Sequence, residues 1–169
     1  MFKTFSKIAL IVTISTNVFS CLKVEDYPIE PIITFNSFTL NDTIDDLGNN
    51  IHLYSFIIDF TDGDGDIGLQ EEDTIAPFDI HSPYYYNLWV TPFSKKGNFY
   101  QEIETTIPLH ARIPYLTPTG QNQNLKGEIE YDINISDIVS DTIILKIQLI
   151  DRELHESNII ESPNIITLH

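Results

Sequence analysis

The chain has 169 residues, of which 25 are acidic and nine are basic, so its formal net charge at pH 7 is −16. So acidic a surface is expected to repel nucleic acid and anionic lipid headgroups, which excludes nucleic acid as a partner and is compatible with cation binding. Hydrophobic residues make up 42% of the chain, and its length suits a single domain. The single cysteine excludes a disulfide framework. The domain must therefore be stabilised by its core or by a metal.

Residues 1–20 have the pattern of a signal peptide. Lys3 and Lys7 precede a short apolar segment, residues 8–14, and small and polar residues follow it. The apolar segment is far shorter than the roughly 20 residues that a membrane-spanning helix needs. Removing this peptide would leave seven basic residues against 25 acidic ones, a net charge of −18.

The only cysteine, Cys21, follows directly, and the sequence Val18-Phe19-Ser20-Cys21 resembles the lipobox of bacterial lipoproteins. The resemblance implies cleavage before Cys21, acylation of its thiol and new amino group, and a lipid anchor that holds the protein at a membrane without spanning it. Leu22 in place of aspartate favours the outer membrane, by the rule known for enteric lipoproteins; the side of that membrane is left open. The alternative is an ordinary secreted protein whose cleavage site contains a cysteine.

The mature chain is predicted to consist of a lipidated tether, residues 21–31, and one domain, residues 32–169. Pro28 and Pro31 block regular structure in the tether. Beyond it, alternating apolar segments bounded by turn residues predict seven strands: residues 32–40, 51–60, 84–91, 98–106, 126–135, 142–150 and 164–168. We find no convincing amphipathic helix of more than two turns. The pattern predicts an all-β fold, an antiparallel β-sandwich of immunoglobulin-like or cadherin-like topology.

Three aspartates alternate with glycines after the second predicted strand, in Asp62-Gly63-Asp64-Gly65-Asp66. Carboxylates this close repel one another unless a cation neutralises them, and glycines let the backbone aim several oxygens at one point. Ca²⁺ takes roughly six to eight oxygen ligands, so the segment predicts a calcium site. The alternative is a solvated acidic hairpin turn.

The spacing of these aspartates resembles the first half of an EF-hand or dockerin-type loop. It departs from that loop at the sixth position, where Ile67 replaces glycine, and at the twelfth, where Asp73 replaces glutamate. Since no helices are predicted on either side, we expect a site in a loop of the sandwich rather than an EF-hand.

A second acidic segment follows the sixth predicted strand and begins at Asp151. In an immunoglobulin-like sandwich the loops after the second and sixth strands lie at the same end, so Asp151 could complete a site formed with Asp62, Asp64 and Asp66. In the alternative, Arg152 pairs with the acidic loop and makes a metal unnecessary, although one arginine cannot neutralise three or four carboxylates. Weaker candidate ligands are Asp59, Glu72, Asp73 and Glu153.

Residues 60–68, taken with the lipobox, resemble a group of uncharacterised lipoproteins of the Bacteroidota type. The later Ile150-Asp151-Arg152, followed by Ser157-Asn158, resembles the closing hairpin of their domains. The resemblance covers most of the mature chain and implies an immunoglobulin-like domain at the cell envelope. It implies no enzymatic activity.

The residues themselves also give little support for an enzyme. The five histidines never have H-x-x-x-H spacing, and G-x-S-x-G and P-loop motifs are absent from the sequence. Carboxylate pairs such as Glu102 with Glu104, or Glu128 with Glu130, could serve a glycosidase but are typical of the solvated face of a strand. A metal-dependent hydrolase would need an open cleft with a water-bearing metal.

An aromatic run, residues 84–89, is the best indication of an organic ligand. Alternation in the predicted strand puts Tyr85 and Trp89 on one face, where they could stack together on a sugar or a peptide. Alternatively, Trp89 is the buried tryptophan common in sandwiches.

These patterns predict a lipid-anchored, calcium-stabilised sandwich that acts as a binding or structural module at the outer membrane, with an unidentified protein or glycan partner. A second hypothesis is an accessory subunit of an outer-membrane uptake or secretion complex. A third is the metal-dependent hydrolase.

Overall fold

The computed structural model describes residues 25–44, 46–48, 50–116, 123–135, 138 and 140–167. The predicted signal peptide, Cys21 and the start of the tether lie outside these residues, as does the side chain of His52. In the part of the chain that is described, no helix is long and apolar enough to cross a membrane.

The described residues form two antiparallel sheets and one short 3-10 helix. The strands are β1 (Ile32–Ile44), β2 (Asn50–Asp62), β3 (Leu88–Lys96), β4 (Phe99–Glu102), β5 (Leu125–Asn134), β6 (Thr142–Leu149), β7 (Ile160–Glu161) and β8 (Ile165–Ile166). One sheet has the order β1-β2-β5, and the other has the order β4-β3-β6-β7 with β8 also paired to β6. The all-β, antiparallel prediction is confirmed. The immunoglobulin-like or cadherin-like topology stays a prediction.

The core lies between the two sheets and is built by alternate residues of the long strands. In β2 the side chains of this core are Tyr54, Phe56, Ile58 and Phe60, and in β6 they are Ile143, Leu145, Ile147 and Leu149. In β5, Ile129 and Ile133 are buried opposite Ile58 and Tyr54 of β2. The period-two alternation predicted for β2, β5 and β6 therefore does place their apolar faces in the core.

The aromatic run departs from the prediction. Pro83–Tyr85 forms the 3-10 helix, and the hydroxyl of Ser82 accepts a hydrogen bond from the backbone N–H of Tyr84 at 3.0 Å. Proline presets the backbone angle of this turn, and the serine caps it, so β3 begins only at Leu88. The prediction of a strand from residue 84 is wrong for its first four residues.

Two further boundaries differ. The strand predicted for residues 98–106 is shortened to Phe99–Glu102 at the edge of its sheet. Near the end of the chain, two short strands lie on either side of Pro163, where only one was predicted. Proline cannot donate a ladder hydrogen bond, so it interrupts the pairing with β6.

The loop after β6 ties the two sheets together at the end where β2 stops. Asn158 pairs with Ile33 of β1 through two hydrogen bonds of 2.9 Å, one accepted from its N–H and one donated to its carbonyl. On the same loop, the N–H of Ile150 donates to the carbonyl of Asn87 at 2.8 Å. The loops that follow β2 and β6 are consequently held side by side.

Candidate metal site

The acidic loop is folded by its own first aspartate. Asp62, the last residue of β2, is fully buried, and its Oδ2 accepts hydrogen bonds from the N–H groups of Gly65 at 2.8 Å and Asp66 at 3.1 Å. Gly65 has a φ of +75°, which glycine adopts without a steric penalty. The loop therefore turns back over the Asp62 side chain.

Two other glycines let the chain approach this loop closely. A Cβ on Gly63 would lie 2.3 Å from the carbonyl oxygen of Tyr27, in the tether. A Cβ on Gly68 would lie 2.1 Å from the carbonyl oxygen of Pro114. Contacts this short are not tolerated, so both positions require glycine. The loop consequently packs between the tether and the segment around Pro114.

The loop after β6 supplies the fourth aspartate. Asp151 is 1% exposed; its Oδ1 accepts the backbone N–H of His155 at 2.8 Å, and its Oδ2 lies 2.9 Å from Nδ1 of the same residue. The two loops are joined directly through Asp66. The N–H of Glu153 donates to Oδ2 of Asp66 at 2.9 Å, and the N–H of Arg152 donates to the backbone carbonyl of Asp66 at 3.2 Å.

The structure brings the four predicted aspartates together. One carboxylate oxygen from each of Asp62, Asp64, Asp66 and Asp151 lies within 4.8 Å of the others. We call these four residues the aspartate cluster. Since all of its donors are oxygens, it suits a hard cation.

Three oxygens of the aspartate cluster have no protein partner. The Oδ1 atoms of Asp62, Asp64 and Asp66 are buried and accept no hydrogen bond. Nearly all buried polar atoms in folded proteins are paired, and a buried charge without a partner is costly. A cation bound among them would satisfy all three.

The electrostatics of the cluster lead to the same conclusion. Burial raises the pKa of Asp62 to about 6, although the hydrogen bond from Gly65 opposes the rise. Burial, followed by the charge of Asp151, raises the pKa of Asp66 to about 7. The pKa of Asp151 is also raised by burial, against the hydrogen bonds from His155. The fold thus disfavours ionisation of these groups in the absence of a cation.

A second group of possible ligands adjoins the first. One ligand atom from each of Asp64, Glu153 and His155 lies within 4.8 Å of the other two. The hydrogen bond to Asp151 raises the pKa of His155. The sequence did not reveal this histidine as a candidate, because its neighbours come from two loops and no local spacing connects them.

The weaker candidates have other surroundings. Asp59 accepts hydrogen bonds from the side-chain amide of Asn36, and Glu72 is exposed. Asp73 forms an ion pair of 2.7 Å with Arg152. The guanidinium of Arg152 is therefore engaged by Asp73 rather than by the aspartate cluster, contrary to the alternative in which it neutralises the acidic loop.

The aromatic candidates do not share a strand face. Tyr85 lies in the 3-10 helix, with its ring edge-on to Tyr86 at 4.9 Å. Trp89 is partly buried, stacks on His110 at 5.3 Å between ring centroids, and donates from Nε1 to the carbonyl of Tyr86 at 3.0 Å. The alternation argument fails for Tyr85 because the residue precedes β3.

Asn87 organises this region and was missed by sequence reasoning. It is 2% exposed, and its side-chain amide exchanges hydrogen bonds of 2.6 and 3.1 Å with the backbone of Ile113. Alternation in the sequence placed Asn87 on one face of a predicted strand but did not decide whether that face is buried. No signal in the sequence marked a buried asparagine.

No protein-family model, curated protein or solved structure matches this chain. The fold and the site together define it as an all-β protein of two antiparallel sheets with a buried acidic cluster that could hold a metal ion.

Proposed function

We propose that this protein is a lipid-anchored β-sandwich of the outer membrane whose fold is stabilised by Ca²⁺ bound to Asp62, Asp64, Asp66 and Asp151. The observation that carries the calcium site is the set of three buried carboxylate oxygens without hydrogen-bond partners, all on one loop. The lipid anchor is supported by the lipobox resemblance at Cys21.

In two of the carboxylates, the two oxygens have different surroundings, and this difference favours a bound ion. In Asp62 and in Asp66, Oδ2 accepts backbone hydrogen bonds while Oδ1 has none. One oxygen fixes the side chain, and the other is left for a ligand. Four carboxylates without a nitrogen donor suit Ca²⁺, whereas Mg²⁺ demands stricter octahedral geometry and keeps several waters.

The ion would act as a cross-link between the sheets. Asp62 ends β2 in one sheet, and Asp151 follows β6 in the other. Extracellular calcium modules bind at about 10⁻⁴–10⁻³ M. At a tenfold excess over the dissociation constant, binding stabilises the folded state by about 1.4 kcal/mol, a useful increment for a domain without disulfides.

A structural or binding role is favoured over hydrolysis. Asp62 and Asp151 are 0% and 1% exposed, so an ion held by them would be enclosed by protein rather than open to substrate. A catalytic metal keeps an open position for water. The ligand of the module would be a protein or a glycan, or the module would serve as an accessory subunit of an uptake or secretion complex.

The test is a thermal melt of the purified protein in EDTA, in millimolar calcium and in millimolar magnesium. We expect calcium, but not magnesium, to raise the melting temperature by about 3–6 °C, because about 1.4 kcal/mol is gained in a domain of this size. Equal melting temperatures in all three solutions would contradict a calcium site in the aspartate cluster.

A variant assigns the effect to the cluster. Asp64→Ala should abolish the calcium response, while its melting temperature in EDTA should not fall, because one repelling charge is removed. Asp59→Ala is the matched control, since Asp59 hydrogen-bonds to Asn36 instead, and it should respond to calcium as the unmodified protein does. An unchanged response in Asp64→Ala would show that the site is elsewhere.

A further inference from the structure

The group beside the aspartate cluster differs from it in chemistry and in access to solvent. Asp64, Glu153 and His155 offer two carboxylates and one imidazole within 4.8 Å of one another. The Glu153 residue is exposed, and the His155 side chain is 28% exposed, whereas Asp62 is fully buried. A ligand at this group would therefore face solvent.

His155 is held in place by a residue that is itself fixed. Asp151 contacts it twice, through its backbone N–H at 2.8 Å and through Nδ1 at 2.9 Å. Histidines that bind metals commonly use one ring nitrogen for the metal and the other for a carboxylate of this kind. Nε2 of His155 is thus left for a ligand.

The charge that a first ion would leave unneutralised favours a second cation. The cluster and Glu153 together carry five carboxylates, of which one divalent ion would neutralise two charges. Arg152, which lies between Asp151 and Glu153, is already paired with Asp73. Asp64 belongs to both groups, and its second oxygen remains for another ion when its buried Oδ1 serves the first.

We infer that Asp64, Glu153 and His155 form a second, solvent-facing metal site that takes a borderline transition ion such as Zn²⁺. An imidazole with two carboxylates suits Zn²⁺, Co²⁺ or Mn²⁺, in contrast to the oxygen-only aspartate cluster. Asp64 has two oxygens and is shared by both ions. Three protein ligands leave a position for water or an external ligand. The inference rests on the proposed function only in that the first ion occupies the aspartate cluster and shares Asp64.

The experiment is a titration of calcium-saturated protein with Co²⁺, followed by the visible absorption of the bound ion and by calcium release. We expect one equivalent of Co²⁺ to bind while calcium is retained. Glu153→Gln and His155→Gln should each weaken Co²⁺ binding by more than about tenfold, since each removes a ligand. Glu156→Gln is the matched control, because Glu156 is exposed on the same loop and hydrogen-bonds to Gln148; it should bind Co²⁺ normally.

The outcomes separate this site from the calcium site. Glu153 contacts Asp66 only through its backbone N–H, so Glu153→Gln should keep the calcium-dependent rise in melting temperature. Failure of Co²⁺ to bind, binding that survives both substitutions, or displacement of calcium by one equivalent of Co²⁺ would each overturn the second site. Co²⁺ binding that requires Glu153 and His155, in a protein that does not respond to calcium, would uphold it and refute the calcium proposal.

Discussion

The two oxygens of Asp62 show how one side chain both builds the site and leaves it incomplete. Oδ2 closes the loop by accepting from Gly65 and Asp66, and Oδ1 is buried without a partner. A neutral, hydrogen-bonded residue would have folded the same turn at lower electrostatic cost. The proposed role of Asp62 and Asp66 as metal ligands would explain why carboxylates stand at these positions. Their raised pKa values follow from the same burial.

These pKa values predict how the metal-free protein responds to pH. With pKa values of about 6 and about 7 in the folded state, Asp62 and Asp66 bind protons more tightly when folded than when unfolded. By linkage, the free energy of unfolding must fall as pH rises from about 4 through about 7. The raised pKa of His155 acts in the same direction. Melts in EDTA should therefore give a higher melting temperature at about pH 5 than at about pH 8.

The control for this pH dependence is Asp62→Asn, whose side-chain oxygen still accepts from Gly65 but does not titrate. Its melting temperature in EDTA should vary less with pH. Calcium competes with protons for the same oxygens, so the calcium-induced rise should grow with pH. A metal-free protein that becomes more stable as pH rises would contradict the assignment of these raised pKa values.

At the scale of elements, the acidic loop depends on the segments packed around it. The tether carbonyl of Tyr27 approaches Gly63, and the carbonyl of Pro114 approaches Gly68. Leu69 extends this contact, because its N–H donates to the carbonyl of Ile113 at 2.9 Å. The loop is thereby positioned by contacts from two separate parts of the chain, the tether and the segment of residues 113–114.

Substitution of Gly68 tests this packing. Gly68 has a φ of +96° and no room for a Cβ, whereas Gly48 has a φ of +86° and a Cβ added there would have no atom within 4 Å. Both alanine variants incur the cost of a positive φ, about 1 kcal/mol or more, and only Gly68→Ala also meets the carbonyl of Pro114. We expect Gly68→Ala to lower the free energy of unfolding by about 3 kcal/mol or more, measured by urea denaturation. Equal losses in the two variants would show that the close contact is unimportant.

At the scale of the whole molecule, the aspartate cluster lies where the sheets are already joined. Asn158 links the loop after β6 to β1, and Glu153 links it to the acidic loop. The tether also reaches this end, since Tyr27 contacts Gly63. A cation bound here would neutralise part of the formal charge of −16 that the chain carries.

At the end of β6 opposite the aspartate cluster, the core depends on apolar packing by the last strand, β8. Ile165 and Ile166 are adjacent in β8, yet Ile165 is 2% exposed and pairs with Ile143, while Ile166 is 71% exposed. Ile165→Ala should cost about 2–4 kcal/mol of stability because it leaves a cavity in the core. Ile166→Ala should cost less than about 0.5 kcal/mol. Similar urea midpoints for the two variants would mean that β8 does not close the core.

Much of this architecture was accessible from sequence because it depends on local pattern. Period-two alternation is a property of neighbouring residues, so it predicted β2, β5 and β6 and the side chains that they bury. It failed where a local turn competed with it, as at Pro83 and Ser82, and it missed β7, whose two residues are too few to show alternation. Tyr85 and Trp89 were consequently assigned to one face of a strand, although Tyr85 lies before that strand begins.

The sequence by itself determined the all-β class and the aspartates that meet at one end of the sandwich, because alternating residues encode strands and alternating glycines encode a tight acidic loop. Only the tertiary structure decided which groups surround those aspartates. Arg152 pairs with Asp73, and His155 joins Asp64 and Glu153, through contacts between loops that are distant along the chain. Such contacts depend on how the sheets pack, and no local spacing of residues records them.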